Sequence, residues 1–561
     1  MIGIRPSLFL LLSAAAIAAW LALAWGVEVE WMRGRLLAHY LFTAQDMPVL
    51  LMGCGALGLF GLFAGLMPAG RLEWARDGRV VAALILVFAL LAWAGRYWLL
   101  ENYALSRDEE VAEFAATAMR DGFLGRPIPF EWIDYRRAIM PEFFSPFGAD
   151  RYWTAAYLPL NAGFRALCGW IADPDLAGPI LLLIGLFALW RSALRLFPAR
   201  TDAVAVTLLM ALGSAQLLVT GMTPYAMTAH FALNMLWLAL VLRGDCLGHG
   251  AAGVVTLLLA GVHQYHYPFV FLAPFLLWFA LGRRWGALMF HSAMIALAVL
   301  IWAKLWPAML VDWYGPPADV RPSAGVADKM NSLMERLEKW RPLLHLSRFL
   351  AWNNLLLVPL ALIGLWRMGW RAALRGERVA LPLGLGALGM AVLSIDQGYG
   401  WGYRYLHGFI GSFALLAGFG WTSFRRPDTR AVWASGLVAL LTGSFLMARA
   451  HHYVAPYAAV HRLIMNSGAD IVLVDPRGGR YVTDVVRGRE GEPLGRPIVM
   501  NIGMLDSGRV ARLCARYDVA VLDIGAFGPL GVGMLPWGSA HMARLRNQME
   551  ALGCGRTITS R

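Results

Sequence analysis

The chain has 561 residues, of which 59% are hydrophobic and only 15% are charged, and its mean hydropathy is +0.55. These values exclude an ordinary water-soluble domain and indicate a polytopic membrane protein. The formal net charge is +13, but the arginines lie in short loops between apolar runs. The charge therefore reflects membrane topology and predicts no nucleic-acid partner.

Apolar runs that approach the length of a bilayer span recur through the first 450 residues. No small-residue cleavage site follows the first run, so we expect a retained helix and not a removed signal peptide. We predict about 13 membrane helices. They lie near 7–27, 48–67, 80–100, 177–194, 203–220, 228–242, 251–266, 267–281, 287–306, 347–366, 379–395, 405–422 and 430–447. One long kinked helix over 251–281 is an alternative.

The basic loops give the orientation. With a cytoplasmic N-terminus, every strongly basic short loop lies on the inner side, as the positive-inside rule requires. The same assignment places loop 101–176, loop 307–346 and the segment 451–561 outside. We therefore predict a transmembrane domain over 1–450 and an external domain over 451–561.

The first external loop begins with an acidic motif, Ser106-Arg107-Asp108-Glu109-Glu110. Ser106 followed three residues later by Glu109 is a capping box, and acids in a first turn favour the helix dipole. An acidic pair at a membrane surface is also suited to general-base chemistry. Both interpretations can hold, because Glu109 can close the cap while Asp108 stays free for chemistry.

Residues 152–170 of the same loop are aromatic and semi-apolar. A spanning helix here would reverse the side of every later basic loop. We therefore expect an interfacial helix, with Trp153, Tyr157 and Trp170 as anchors at the lipid headgroups.

Ionisable and aromatic residues then recur at the outer ends of helices, where such groups often mark function. The candidates for a substrate pocket are Tyr225, His230, His263, His266, Asp396 and His407. A histidine in an apolar helix is more often a packing residue than a catalyst, and this is the alternative for His230. His263 and His266 have a spacing that suits a metal site, but no third ligand is evident, so we predict no metal.

Arg404 differs from most arginines of the chain because it lies on the outer side, between glycines and aromatics. That setting suits a phosphate contact, and anchoring at the membrane interface is the alternative. The candidates for binding a phosphate or lipid are Arg404, Tyr403, Tyr399 and Trp401. Lys304 and Arg348 are weaker candidates, because snorkelling at helix ends also explains them.

The tail changes character after residue 469. Runs at 471–474 and 520–523 predict buried strands, and 507–516 and 541–552 predict helices, which together make a small α/β domain. Cys514 and Cys554 both fall in this domain, and the sequence leaves open whether they form a disulfide.

The combination resembles the GT-C glycosyltransferases, in particular the polyprenyl-phosphate-sugar-dependent enzymes related to protein O-mannosyltransferases and to the aminoarabinose transferase of lipid A. The resemblance rests on Ser106 to Glu109 and on the stretches 152–197 and 224–243. It implies an α-helical, GT-C-like polytopic fold in a bacterial inner membrane, with a small periplasmic α/β domain.

The resemblance also implies an inverting transfer of a sugar from a polyprenyl-phosphate-linked donor to a lipid or glycan acceptor hydroxyl, in cell-envelope assembly. Asp108, with Glu109 beside it, would act as the base, and Arg404 would offset the charge of the leaving phosphate. Membrane lipids are the other expected partners. No cofactor is implied, and metal dependence, the sugar and the acceptor stay open.

Two other functions stay open as well. A lipid-linked glycan flippase would show inverted repeats or ionisable residues at helix centres. An O-antigen ligase or polymerase would use a late external loop, and 307–346 offers Arg321, Lys329, Arg336 and Lys339. A solvated amphipathic helix explains residues 330–340 equally well.

Overall fold

The computed structural model describes residues 6–31, 36–66, 70, 72–139, 144–148, 151–317, 341–393, 400–424, 428–475, 485–489, 491–522 and 540–558. Most of these residues are helical. Within the described ranges, six helices are long and apolar enough to cross a membrane, or up to eight if each of two bent pairs is one span. The chain is therefore a multi-pass membrane protein, although the structure does not confirm the predicted number of helices.

The six long spans are Ser7–Val27, His39–Leu62, Gly78–Trp98, Pro174–Leu196, Trp285–Tyr314 and Thr429–Met465. In chain order the helices are α1 Pro6–Trp31, α2 Leu36–Leu41, α3 Met47–Leu62, α4 Gly78–Trp98, α5 Arg107–Arg120, α6 Arg136–Ile139, α7 Leu160–Ile171, α8 Ala177–Leu196, α9 Thr201–Leu212, α10 Ala215–Gly221, α11 Met227–Val241, α12 Cys246–Ala260, α13 Tyr267–Leu281, α14 Trp285–Val299, α15 Trp306–Tyr314, α16 Arg341–Trp352, α17 Leu357–Trp366, α18 Trp370–Leu374, α19 Ala380–Leu393, α20 Ile410–Thr422, α21 Thr429–Met465, α22 Ser507–Cys514 and α23 Ala540–Ala551. Phe42–Asp46 and Leu300–Leu305 are π-helical, and Phe130–Tyr135 and Arg404–Phe409 are 3-10 helices.

Two segments predicted as single helices are broken. The chain bends by 52° between α9 and α10 and by 107° between α16 and α17. At the first break, Ser214 Oγ accepts from the Leu217 N–H (3.0 Å) and donates to Asn353 Oδ1 at the second break (2.6 Å). Polar groups at the two breaks therefore bond to each other inside the bundle, as a low-dielectric surrounding requires. The alternative of one helix over 251–281 is wrong, because α12 ends at Ala260 and α13 begins at Tyr267.

The interfacial helix predicted over 152–170 is wrong in its first half. Tyr152–Ala155 forms the central strand, β3, of an antiparallel sheet whose outer strands are β1, Gly125–Pro127, and β2, Phe144–Phe147. Aromatic and β-branched residues favour a strand here, and the sheet buries Trp153, which is only 3% exposed. The helix begins at Leu160, and of the three predicted anchors only Trp170 is exposed, at 62%.

The tail contains a four-stranded parallel sheet in the order β5-β4-β6-β7. Its strands are β4 Ile471–Val474, β5 Ile498–Asn501, β6 Val519–Leu522 and β7 Arg556–Thr557. The sheet shares a core with the first one, since Ile471 and Ile498 belong to the same apolar cluster as Trp132 and Trp153. Cys514 and Cys554 form a disulfide, which settles the pairing that the sequence left open. Helix α21 runs without interruption through the predicted boundary at residue 450.

Candidate active site

Helix α5 begins at the predicted capping box, which the structure confirms. Glu109 accepts hydrogen bonds from the Ser106 N–H (2.8 Å) and the Ser106 hydroxyl (3.0 Å). Burial raises the pKa of Glu109 to about 7, against the lowering effects of Ser106 and Arg96. Because Glu109 is only 1% exposed and bonds to Ser106, its position suits the helix cap.

Asp108, one position earlier, lines a cavity that we call the main cavity because the candidate site residues meet there. The cavity has a volume of about 460 Å³ and lies where α5, the β3–α7 connection, α11, α13 and α15 meet. Its polar and ionisable wall residues include Asp108, Tyr157, Asn161, Tyr225, His263 and Arg404. Two neighbouring residues of one helical turn therefore have different surroundings: Glu109 is enclosed, and Asp108 faces open space.

Asp108 and Arg404 meet across this cavity, although 296 positions separate them in sequence. Arg404 Nη1 donates to Asp108 Oδ2, and the Tyr157 hydroxyl donates to Asp108 Oδ1. The Asp108 and Arg404 side chains keep 16% and 18% exposure, which leaves the pair accessible from the cavity. Burial, together with the negative charge of Asp108, raises the pKa of Tyr157, so this phenol stays a proton donor.

Aromatic rings line the other sides of the Arg404 guanidinium. Its Cζ lies 5.7 Å from the ring centre of Tyr225 and 5.3 Å from that of Tyr405. The His263 ring lies 4.1 Å from the ring of Tyr157, centre to centre. An anion that binds Arg404 would therefore contact a guanidinium surrounded by aromatic side chains, where water screens charge only weakly.

The loop before Arg404 is held through its backbone carbonyls. Arg348 donates from Nε to Gly402 O (3.1 Å) and from Nη2 to Gly400 O, and Gln216 Nε2 donates to Tyr403 O (2.7 Å). Gly402 has φ +73°, and a Cβ there would lie 2.4 Å from the Gln216 side chain. The glycine is therefore required by both its conformation and its close packing.

Arg348 in turn forms an ion pair with Asp46. Its Nη1 lies 3.1 and 3.0 Å from the two carboxylate oxygens, and Trp352 Nε1 donates to Asp46 Oδ1 (3.1 Å). The side chains are 2% and 3% exposed, so the interpretation of Arg348 as a snorkelling residue is wrong. Sequence reasoning missed this pair, but it left a signal: Asp46 interrupts an apolar run, where an unpaired charge is costly.

Sequence reasoning also missed Tyr157, which was interpreted as a headgroup anchor. Its hydroxyl bonds to Asp108 instead, because the β3–α7 connection carries it over the start of α5. This connection is distant from α5 in sequence, since 49 positions separate Tyr157 from Asp108. No local sequence pattern distinguishes such a tyrosine from a membrane anchor.

Two of the predicted binding residues pack behind the site. Tyr403 is 1% exposed and stacks on His345 with ring centres 5.4 Å apart. Trp401 is 5% exposed and packs against Trp352 and Tyr453. Both residues support the loop that carries Arg404, and neither lines the main cavity.

The remaining candidates are dispersed. His230 lines a smaller cavity next to the main one, His407 is fully buried, and the His266 ring lies against those of Tyr265 and Tyr267. In the described part of the chain, no group of three or more His, Cys, Asp or Glu side chains has the geometry of a metal site. Asp396, Tyr399, Arg321, Lys329, Arg336 and Lys339 lie outside the described residues.

No family model and no curated protein matches this sequence. Among solved structures, the chain is similar to ArnT from Cupriavidus metallidurans in the apo state, with 12% identity, a TM-score of 0.44, and coverage of 85% of this chain and 89% of that one. ArnT from the same organism bound to undecaprenyl phosphate gives 14% identity, a TM-score of 0.40 and the same coverage. ArnT, the lipid A aminoarabinose transferase, is one of the enzymes that the sequence resembles. At these values the likeness assigns no function, which must come from the residues themselves.

Proposed function

We propose that this protein is an integral membrane glycosyltransferase. It moves a sugar from a polyprenyl-phosphate-linked donor to an acceptor hydroxyl at the periplasmic face of a bacterial inner membrane, in the assembly of a cell-envelope glycan or glycolipid. The observation that carries the proposal is the juxtaposition of Asp108 and Arg404 on the wall of one cavity of about 460 Å³. One side chain accepts a proton and the other binds an anion, which are the two roles that this transfer requires.

Asp108 is the proposed general base. It takes the proton of the acceptor hydroxyl while the oxygen attacks the anomeric carbon of the donor sugar from the face opposite the phosphate, so the configuration inverts. The bond between the anomeric carbon and the phosphate oxygen breaks, and its electron pair leaves with the lipid phosphate. Because that phosphate is already a stable anion, it requires a cation and not an acid.

Arg404 is the proposed cation for the phosphate. The guanidinium presents several N–H donors, and negative charge on the bridging oxygen grows as the glycosidic bond breaks. In this structure Arg404 is paired with Asp108. A phosphate that binds Arg404 would replace part of this pairing and leave Asp108 available to the acceptor.

A path for the lipid lies on one side of the cavity. Trp306 and Leu310 line the cavity from α15, at the end of the Trp285–Tyr314 span, whose most apolar stretch is only 11% buried. Such a helix has most of its surface free to face lipid, so a polyprenyl chain can run along it while its phosphate enters the cavity. Val111, Ala115 and Met119 of α5 line another side, which is available to the acceptor.

Mass spectrometry of the co-purifying lipid tests this proposal. We expect Asp108→Asn to retain an intact polyprenyl-phosphate sugar, because the donor binds but transfer stops, and we expect the wild type to carry mostly polyprenyl phosphate. Only bulk phospholipid in both preparations would contradict the proposal. An intact sugar lipid that the wild type moves across vesicles without cleavage would indicate a flippase instead.

A further inference from the structure

A second, smaller cavity adjoins the main one, and Arg404 and His263 line both. This side pocket has a volume of about 40 Å³ and lies between α11, α13, α19 and the 3-10 helix Arg404–Phe409. From α11 it receives Met227, His230 and Asn234, whose spacing of three and four places them on one helix face.

Two residues that line the side pocket, His230 and Asn234, have buried polar atoms that lack partners within the described ranges. Asn234 Nδ2 donates to Gly408 O (3.0 Å), which fixes the orientation of the amide and leaves its Oδ1 as an acceptor. Asn234 is 3% exposed, and across the described ranges neither its Oδ1 nor His230 Nε2 has a hydrogen-bond partner. A buried polar atom without a partner is destabilising, so these two atoms indicate a polar occupant.

We propose that the side pocket receives the N-acyl group of the donor sugar, so that the substrate is an N-acylated amino sugar. This inference rests on the proposed function, because the sugar must be linked to a phosphate at Arg404. The amide N–H of the acyl group would donate to Asn234 Oδ1, and its carbonyl would accept from His230 in the tautomer that carries the proton on Nε2. Met390 and Phe409 supply an apolar wall for the acyl methyl group.

Size and charge favour a small, neutral substituent. A volume of about 40 Å³ is close to that of one or two water molecules, which suits a short substituent such as an acetamido group better than a whole sugar ring. A lone hydroxyl would leave the apolar wall uncovered. A free amine would bring a second positive charge beside Arg404, and the described lining of the side pocket contains no carboxylate.

The test compares three lipids with the full-length protein in nanodiscs: polyprenyl phosphate, polyprenyl-phosphate glucose and polyprenyl-phosphate N-acetylglucosamine. Native mass spectrometry gives their relative affinities. We expect the N-acetyl lipid to bind at least about tenfold more tightly than the glucose lipid, which corresponds to one or two added hydrogen bonds. Asn234→Leu should reduce this preference to less than about threefold, because leucine has the same branched arrangement of side-chain heavy atoms and lacks the acceptor.

A second variant and a control complete the test. Met390→Phe keeps both polar atoms and narrows the space for the methyl group, so it should also reduce the preference. Asn354→Leu removes another buried amide, which bonds to Ser435 O and the Leu356 N–H, and should leave the preference unchanged. Equal affinity for the two sugar lipids, or a preference that survives both pocket variants, would overturn the inference while the proposed function stands. If polyprenyl phosphate itself does not bind, both fail.

Discussion

Two Asp–Arg pairs, one sealed and one open, lie on either side of the loop that contains Gly400 and Gly402. In the sealed pair, Asp46 and Arg348 are 3% and 2% exposed, and each makes further hydrogen bonds to neighbouring groups. In the open pair, Asp108 and Arg404 are 16% and 18% exposed and border a cavity. The same two residue types therefore fix structure in one place and stay available for chemistry in the other.

The two pairs are also connected. Arg348 donates hydrogen bonds to the carbonyls of Gly400 and Gly402, and Arg404 lies two residues after Gly402. A buried charge with complete hydrogen bonding holds its neighbours rigidly, and a preorganised cation stabilises charge better than a mobile one. The sealed pair therefore positions the open one, and each pair can be changed separately.

The largest expected effect on activity comes from Asp108→Asn. Loss of a general base should slow sugar transfer by about 10²–10⁴-fold. Asparagine leaves the Arg404 guanidinium without its carboxylate partner, so the melting temperature should also fall, and turnover is compared between preparations that are equally folded. Release of lipid phosphate from a radiolabelled donor in native membranes measures the transfer.

Asp121→Asn is the matched control for that experiment. Asp121 follows the last turn of the same helix, pairs with Arg126 and is 51% exposed. Full turnover in this variant and in Asp108→Asn alike would show that the open pair has no catalytic role.

The largest expected effect on stability comes from Asp46→Asn in the sealed pair. Arg348 would be left as an uncompensated buried charge, which costs about 3–5 kcal/mol. Adding Arg348→Gln removes that charge and should restore much of the melting temperature. Turnover of the double variant should remain below that of the wild type, because Gly400 and Gly402 lose their guanidinium donors.

If the sealed pair positions Arg404, the double variant should regain its melting temperature and not its turnover. A purely structural role for the sealed pair would instead return turnover together with the melting temperature. Thermal unfolding in detergent and donor cleavage, measured on the same preparations, decide between these outcomes.

Much of the open pair could be predicted from sequence, and little of the sealed one. Ser106 and Glu109 form a local capping signal, and Arg404 is conspicuous as an outer arginine among glycines. Asp46 and Arg348 lie 302 positions apart, and their pairing depends on how distant helices pack. Trp401 and Tyr403 were predicted to bind phosphate or lipid and are buried behind the site, because a sequence does not distinguish an aromatic side chain in a core from one at a binding surface.

Glu109→Gln should change the pH dependence of stability. Burial raises the Glu109 pKa from 4.5 to about 7, so the folded state favours the protonated acid. That contribution is complete below pH 4.5 and is lost as the pH rises through 7, by at most about 3 kcal/mol. Glutamine keeps the acceptor oxygen for Ser106 and does not ionise.

The melting temperature of the wild type should therefore fall relative to Glu109→Gln between pH 5 and pH 8. The exposed Glu550→Gln serves as the control and should follow the wild type. Parallel melting curves for the wild type and Glu109→Gln over this range would refute the assignment of Glu109 to a desolvated cap.

The smallest expected effect comes from Tyr157→Phe. Loss of one hydrogen bond to Asp108 is worth about 0.5–1.5 kcal/mol, so turnover should fall by no more than about tenfold. Tyr152 lies on strand β3 and does not line the main cavity, so Tyr152→Phe should have no effect on turnover. A loss as large as that of Asp108→Asn would mean that Tyr157, and not Asp108, carries the essential proton.

The affinity of Arg404 variants for polyprenyl phosphate tests the central claim most directly. In nanodiscs, Arg404→Ala should weaken binding by at least about tenfold, since a hydrogen bond to a charged group is worth about 1.5–3 kcal/mol. Arg404→Lys should also weaken it, because lysine keeps the charge but loses the planar fork. The exposed Arg151→Ala should bind as the wild type does. Wild-type affinity in Arg404→Ala would contradict the claim that this side chain holds the lipid phosphate.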